Sequence, residues 1–211
     1  MKSRSQDIHP DASISPKLFS GQKTLYCRML KRLFIALELP EGCRETLADL
    51  AVPLRGVRWL PANHLHLTIA FLGDVPREAE LRLRESLAAV RVPPFTLPVK
   101  SIGTFGNARP TVIWAGVGTG HPHLFALHKR VHDALFAARF DPKLRPFHPH
   151  ITLARLKEVS APTLHQFLRK HESADHCRVE VTTFALFSSR PGPEGSDYTV
   201  EERYDLRAKA T

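Results

Sequence analysis

Two histidine–threonine pairs are the residues of this chain best suited to chemistry. His66-Leu-Thr68 lies in the apolar run His-Leu-His-Leu-Thr-Ile-Ala-Phe-Leu (64–72), and His150-Ile-Thr152 in His-Pro-His-Ile-Thr-Leu-Ala-Arg-Leu (148–156). Side chains alternate faces along a strand, so residues i and i+2 point the same way. His66 therefore shares a face with Thr68, and His150 with Thr152, while Leu67, Ile69, Ile151 and Leu153 turn to the other side. An imidazole titrates near neutral pH and can give or take a proton. Two of them flanking one phosphorus can run an in-line displacement, one deprotonating the nucleophile and the other protonating the leaving oxygen. Each such group supplies about 10²–10⁴-fold. The threonine hydroxyls can donate to non-bridging phosphate oxygens, where negative charge develops. This chemistry demands no metal and suits a strained, cyclic phosphodiester. One His-x-Thr triplet occurs by chance; two, each in an apolar strand where a stray histidine is costly, form a specific signal.

The elements that must position these pairs alternate along the chain. Leu33 to Leu39 reads as a strand closed by Pro40, and Cys43, Leu47, Leu50 and Leu54 recur on one helical face. After the first motif strand, stopped at Gly73-Asp74, Pro76 and Glu78 open a helix carrying Ala79, Leu83, Leu87 and Val90. Phe95 to Phe105 and Thr111 to Val117 read as strands; Leu124, Leu127, Val131, Leu135 and Ala138 mark a third helix. The second motif strand follows, then a short helix from Thr163 to His171. Strands Arg178 to Phe187 and Tyr198 to Leu206 flank a Gly/Pro-rich tip at 190–196. The pattern predicts an α+β fold with largely antiparallel sheet. The repeated motif predicts two similar lobes, each giving one strand to a shared cleft.

Composition narrows the partners. With 211 residues, 43% hydrophobic and 24% charged, the chain reads as an ordinary globule of one or two units. No apolar run approaches the ~20 residues of a membrane span. Residues 1–28 lack helical or strand period and any signal-type apolar core, predicting a disordered leader before a single two-lobed domain, 29–211. Three cysteines, Cys27, Cys43 and Cys177, without a CxxC pair argue against a disulfide framework or zinc knuckle and for a reducing compartment. The net charge is +9, and arginine predominates over lysine; its planar fork suits phosphate.

The motifs His66-Leu-Thr68-Ile69 and His150-Ile-Thr152-Leu153 resemble the paired HxTx signature of the 2H phosphoesterase superfamily. The flanks Arg32-Leu-Phe-Ile-Ala-Leu-Glu-Leu-Pro40, Asn63 to Gly73, Arg145 to Arg155 and Val181 to Ser189 resemble the RNA 2′,3′-cyclic phosphodiesterases, or 2′-5′ RNA ligase-like proteins, over about 31–206. The resemblance implies a bilobal, pseudo-twofold fold, its two mostly antiparallel sheets facing a central groove with helices outside. It implies His66 as proton donor to the leaving ribose oxygen, His150 as the proton acceptor that activates water, and Thr68 and Thr152 as phosphate ligands. A 2′,3′-cyclic phosphate would open to a 2′-phosphate; a 5′-hydroxyl in place of water would give 2′-5′ ligation. The implied partners are RNA with 2′,3′-cyclic ends, tRNA fragments included, or cyclic nucleotides, met by a cytoplasmic monomer without cofactor or metal. A 2′-5′ oligonucleotide phosphodiesterase and a non-catalytic RNA-end-binding module are the alternatives. The motifs are nearly interchangeable, so the residues leave open which histidine plays which part.

Other candidates weigh less. His64 and His148, read on the same strand faces, could contact substrate or, with the catalytic pair, chelate a metal, but no acidic residue flanks either motif. Arg155 could grip phosphate, yet strict alternation turns it away from His150 unless a bulge intervenes. Phe71 and Phe147 read as core. Trp59, Phe105 and Arg109 read as loop residues that pack or stack a base. His121, His123, His128 and His132 read as a polar helix face, and the charges from Arg82 to Arg91 as a solvated one.

Overall fold

A computed structural model describes residues 30–106, 109–118, 121–141, 146–172, 174–192 and 195–208. The expected leader, 1–28, lies outside the described residues, as do Cys27 and Arg145. Contacts divide the chain into Met1–Leu30 and Lys31–Thr211, and the second unit carries both motifs.

The described strands are β1 (Leu30–Glu38), β2 (Val57–Trp59), β3 (His66–Pro76), β4 (Phe95–Phe105), β5 (Val112–Gly116), β6 (His150–Leu156), β7 (Asp175–Val181), β8 (Thr183–Gly192) and β9 (Gly195–Asp205). The helices are α1 (Glu41–Ala48), α2 (Arg77–Ala88), α3 (Pro122–Ala137) and α4 (Ala161–His171). The fold is α+β. Its hydrogen-bonded path runs β7-β4-β5-β6-β3-β1-β8-β9, with β2 also on β6. The two expected halves, β7-β4-β5-β6 and β3-β1-β8-β9, thus meet at the two motif strands. The chain traverses β1-α1-β2-β3-α2-β4 and then β5-α3-β6-α4, before β7, β8 and β9. Strand β4 pairs antiparallel with β5, and β8 with β1, so each repeat lends its closing strand to the other half.

Burial follows periodicity. Leu83 and Leu87 of α2 and Leu124, Leu127, Val131 and Leu135 of α3 recur at three- and four-residue spacing and are fully buried. Strand β1 is apolar from Leu33 to Leu37 because both of its faces are covered there: Leu33, Ile35 and Leu37 join the main core, while Phe34 and Ala36 pack with Ala185 and Phe187 on the opposite side. Among the described residues Glu80 of α2 is a buried charged side chain, 6% exposed. It accepts from Lys31 at 3.3 Å and Arg84 at 2.5 Å, and Arg84 also reaches Glu202 at 2.6 Å. Arg84 is therefore an ion-pair hub joining α2 to β9, not part of a solvated face.

Several expectations are corrected here. The strand expected from Arg178 to Phe187 is two strands, β7 on β4 and β8 on β1. The change is written in the side chains: burial alternates at Val179 and Val181, then becomes continuous from Phe184 to Phe187. Strand β3 passes through Gly73, whose φ of 72° replaces the expected stop. Trp59 lies in β2 and packs edge-on against Phe167, its Nε1 donating to the Val52 carbonyl at 2.8 Å. Cys43 of α1 and Cys177 of β7 form a disulfide with Cα atoms 5.5 Å apart, against the expectation of unpaired thiols. Two cysteines 134 residues apart carry no local sign of pairing; the packing of α1 on β7 brings them together.

Candidate active site

The motif strands meet antiparallel with Leu67 opposite Ile151. That register sets His66 across from Thr152 and Thr68 across from His150, all four on the face opposite Leu67 and Ile151, both of which are fully buried. The histidines are diagonal neighbours, a relation that puts side chains about 7–8 Å apart. Between them is the room a phosphoryl group needs. All four line one groove of about 290 Å³.

Each histidine is held the same way. The Nδ1 of His66 lies 2.8 Å from the His64 carbonyl, and the Nδ1 of His150 lies 2.6 Å from the His148 carbonyl. A carbonyl oxygen only accepts, so Nδ1 carries the proton in both rings and Nε2 is the atom left for chemistry. His64 and His148 thus act through their backbones. Their side chains are not on the strand faces, as the sequence had suggested: His64 closes a 3₁₀ turn (Ala62–His64), and Pro149 holds His148 out of the β6 ladder. The His64 ring still reaches the groove, while His148 lines a neighbouring cavity.

The surroundings of the two rings differ. His66 sits against Phe34 (centroids 5.0 Å), Tyr198 (5.1 Å, edge-on) and Phe187 (6.1 Å). His150 meets Phe105 edge-on at 4.7 Å and is otherwise more open. Burial lowers the pKa of both below the ordinary 6.5, partly opposed by the carbonyl bonds. A charge on His150 lowers His66 further. Once one ring carries a proton, a second is disfavoured, so the two titrate as a coupled pair.

Arg155 reaches the groove by the bulge that strict alternation required. Ile113 pairs with Ala154 and Trp114 with Thr152, leaving Leu153 over. The extra residue resets the alternation, so Leu153 and Ala154 are both buried and Arg155 turns out beside Thr152. Strand β3 repeats the pattern of β6 residue for residue from its histidine onward, and its counterpart of Arg155 is Phe71. Phe71 is 77% exposed at the groove mouth, which corrects its reading as core; Phe147 is half-buried against the core. Phe105 buttresses His150, and Arg109 does not line the groove.

Sequence reasoning missed the far wall. Arg32 pairs with Ser189 and Ser189 with Tyr198, a row across β1, β8 and β9 that lines the groove. Nothing local marks Tyr198, because the β8–β9 register alone carries it there. Among the described residues, no group of three or more His, Cys, Asp or Glu is arranged to hold a metal ion. Nor is any described helix long and apolar enough to cross a membrane.

Comparison with known proteins agrees with this layout. The family described as LigT like Phosphoesterase matches residues 37–114 and 117–196, one segment for each motif. The RNA 2′,3′-cyclic phosphodiesterase of Escherichia coli K12 is 35% identical over 181 residues, 83% of this chain and 97% of the relative. That of Aeropyrum pernix is 33% identical over 170 residues, 80% of this chain and 94% of the relative. Among solved structures, E. coli LigT complexed with 3′-AMP superposes with a TM-score of 0.70 at 30% identity, covering 84% of this chain and 98% of that one.

Proposed function

The chain belongs to the LigT-like phosphoesterase family, and on that premise we propose that it hydrolyses 2′,3′-cyclic phosphate ends of RNA to 2′-phosphates. The relatives named for that activity support the reaction class. The observation that carries the residue assignment is the single register that sets two His–Thr pairs on one face of one groove. His150, the more open ring, takes a proton from water through Nε2 as the water attacks phosphorus. His66, enclosed by Phe34, Phe187 and Tyr198, gives its Nε2 proton to the departing 3′ oxygen. A lowered pKa makes it the readier donor. The hydroxyls of Thr68 and Thr152 donate to the two non-bridging oxygens, and Arg155 adds a positive charge beside Thr152. The exposed Phe71 ring offers the terminal base a stacking face. After release, His66 is neutral and His150 charged; exchange with solvent restores the starting state.

The test is product identity. RNA ending in a 2′,3′-cyclic phosphate is expected to yield a 2′-phosphate end, read by phosphorus NMR. A 3′-phosphate product would reverse the leaving-group assignment, and binding without turnover would leave only an RNA-end-binding module.

A further inference from the structure

A second cavity adjoins the catalytic groove and is the larger of the two, about 510 Å³. Thr68, Phe71 and Gly73 line both, so β3 forms their common wall and Phe71 stands at the passage between them. The far wall of the second cavity comes from α3 and the segment before β6. There His128 stacks on Phe147, centroids 4.1 Å apart and planes 14° from parallel, with His132 4.2 Å from His128. This corrects the reading of these two histidines as a polar helix face: α3 turns both into the cavity, His128 against Phe147 and His132 against His128. Burial lowers both pKa values, that of His128 to about 4, with the His132 charge adding to the effect at His128. At neutral pH both rings are uncharged, each with a flat face, one N–H donor and one acceptor nitrogen. Asp141 completes the rim.

The aromatic lining decides what such a cavity takes. It offers aromatic faces, neutral donors and acceptors, and a carboxylate, but among the described lining residues no Lys or Arg. Beside Asp141 a phosphate would meet a like charge. A nucleobase would find stacking surface and groups for its edge, the way proteins hold unstacked bases at single-stranded RNA ends. The passage past Phe71 ties the occupant to the catalytic groove, which holds the terminal nucleotide. Taking the hydrolysis of RNA ends proposed above as its basis, we infer that this cavity binds the base of the nucleotide preceding the one with the cyclic phosphate. The enzyme then reads at least two residues of its RNA, and a mononucleoside cyclic phosphate is an incomplete substrate.

The experiment compares kcat/KM for adenosine 2′,3′-cyclic phosphate, for the dinucleotide ApA with a 2′,3′-cyclic end, and for the same dinucleotide made abasic at its first residue. The intact dinucleotide is expected to exceed the other two by roughly tenfold, the scale of one base–aromatic stack. In the double variant His128→Ala, His132→Ala that advantage is expected to vanish while the mononucleotide value stays unchanged. The mononucleotide also reports whether the variant folds; if it does not, the abasic comparison in the wild type decides alone. Equal kcat/KM for the intact and abasic dinucleotides, or a double variant that keeps the advantage, overturns the inference and leaves the hydrolysis reading standing. Turnover of none of the three substrates would overturn that reading first.

Discussion

Replacing His66 by alanine separates the two proton-transfer roles if the leaving group is varied with it. On a 2′,3′-cyclic substrate the departing 3′ alkoxide is strongly basic and needs a proton. Losing a general acid costs about 10²–10⁴-fold, or about 3–5 kcal/mol at 1.36 kcal/mol per decade. The structure points to the upper part of that range for His66. Phe34, Phe187 and Tyr198 surround its ring, so a water in the vacated space would meet aromatic walls with few partners to hold it. His150 is more open, and water can partly replace it, so His150→Ala belongs toward the lower part. The diagnostic substrate is a 3′-deoxynucleoside 2′-(4-nitrophenyl phosphate), which keeps the 2′ O–P bond and puts an acidic phenol where the 3′ oxygen departs. Its phenolate leaves without protonation. His66→Ala should then lose less than about tenfold on the aryl ester, while His150→Ala loses similarly on both substrates, because water must still be activated. The assay is absorbance of nitrophenolate against formation of the 2′-phosphomonoester from the cyclic substrate, read by phosphorus NMR, with thermal unfolding as a check on folding. The reverse pattern, with His150→Ala rescued by the aryl ester, would exchange the two roles; rescue of neither would refute acid–base division between the rings.

The pH dependence of kcat/KM should be bell-shaped, its acid limb set by protonation of His150 and its alkaline limb by loss of the His66 proton. Burial lowers both groups, so both limbs should lie on the acid side of an ordinary imidazole profile; a rate flat from about pH 5 to 9 would contradict two-imidazole catalysis. Arg155→Met should cut kcat/KM by roughly tenfold, through loss of one charged hydrogen bond to phosphate, with no change in urea midpoint, and an unchanged kcat/KM would remove Arg155 from the site. Glu80→Ala should destabilise the fold by about 2 kcal/mol in urea titration, since Arg84 keeps Glu202 while Lys31 and Arg84 lose the shared buried carboxylate; a loss under about 0.5 kcal/mol would make the cluster a surface feature. Under non-reducing denaturation Cys27 alone of the three cysteines should react with a thiol label, and labelling of all three would show the Cys43–Cys177 bond absent in solution.

The placement of the two His–Thr pairs was the most legible part of the sequence. The strand period alone put His66 with Thr68 and His150 with Thr152, and the apolar helix faces at Leu83, Leu87, Leu124, Leu127, Val131 and Leu135 lie buried as read. What could not be read depended on register. Arg155 needed the leftover Leu153, and a bulge is a property of two paired strands. Tyr198 and Arg32 share a wall only because Ser189 lies between them. Phe71 reads as core because its neighbours are apolar, yet it occupies the position at which β6 carries an arginine. The boundary at Thr182 was visible in principle, as a shift from alternating to continuous burial, but two adjoining strands look like one long strand until their partners are known.

Many hydrolytic histidines are oriented by a buried aspartate, which leaves an anion within a few ångströms of the reacting centre. Here a neutral main-chain oxygen two residues back does the orienting, at both rings. A carboxylate would repel an incoming phosphodiester and the still more negative pentacoordinate species that follows. The described lining of the groove includes no Asp or Glu, so the polypeptide aligns its imidazoles in a way that suits the anionic substrate proposed above. The same economy explains why no acidic residue accompanies either motif: the orienting partner is an atom every amino acid possesses, and any side chain at 64 or 148 can supply it.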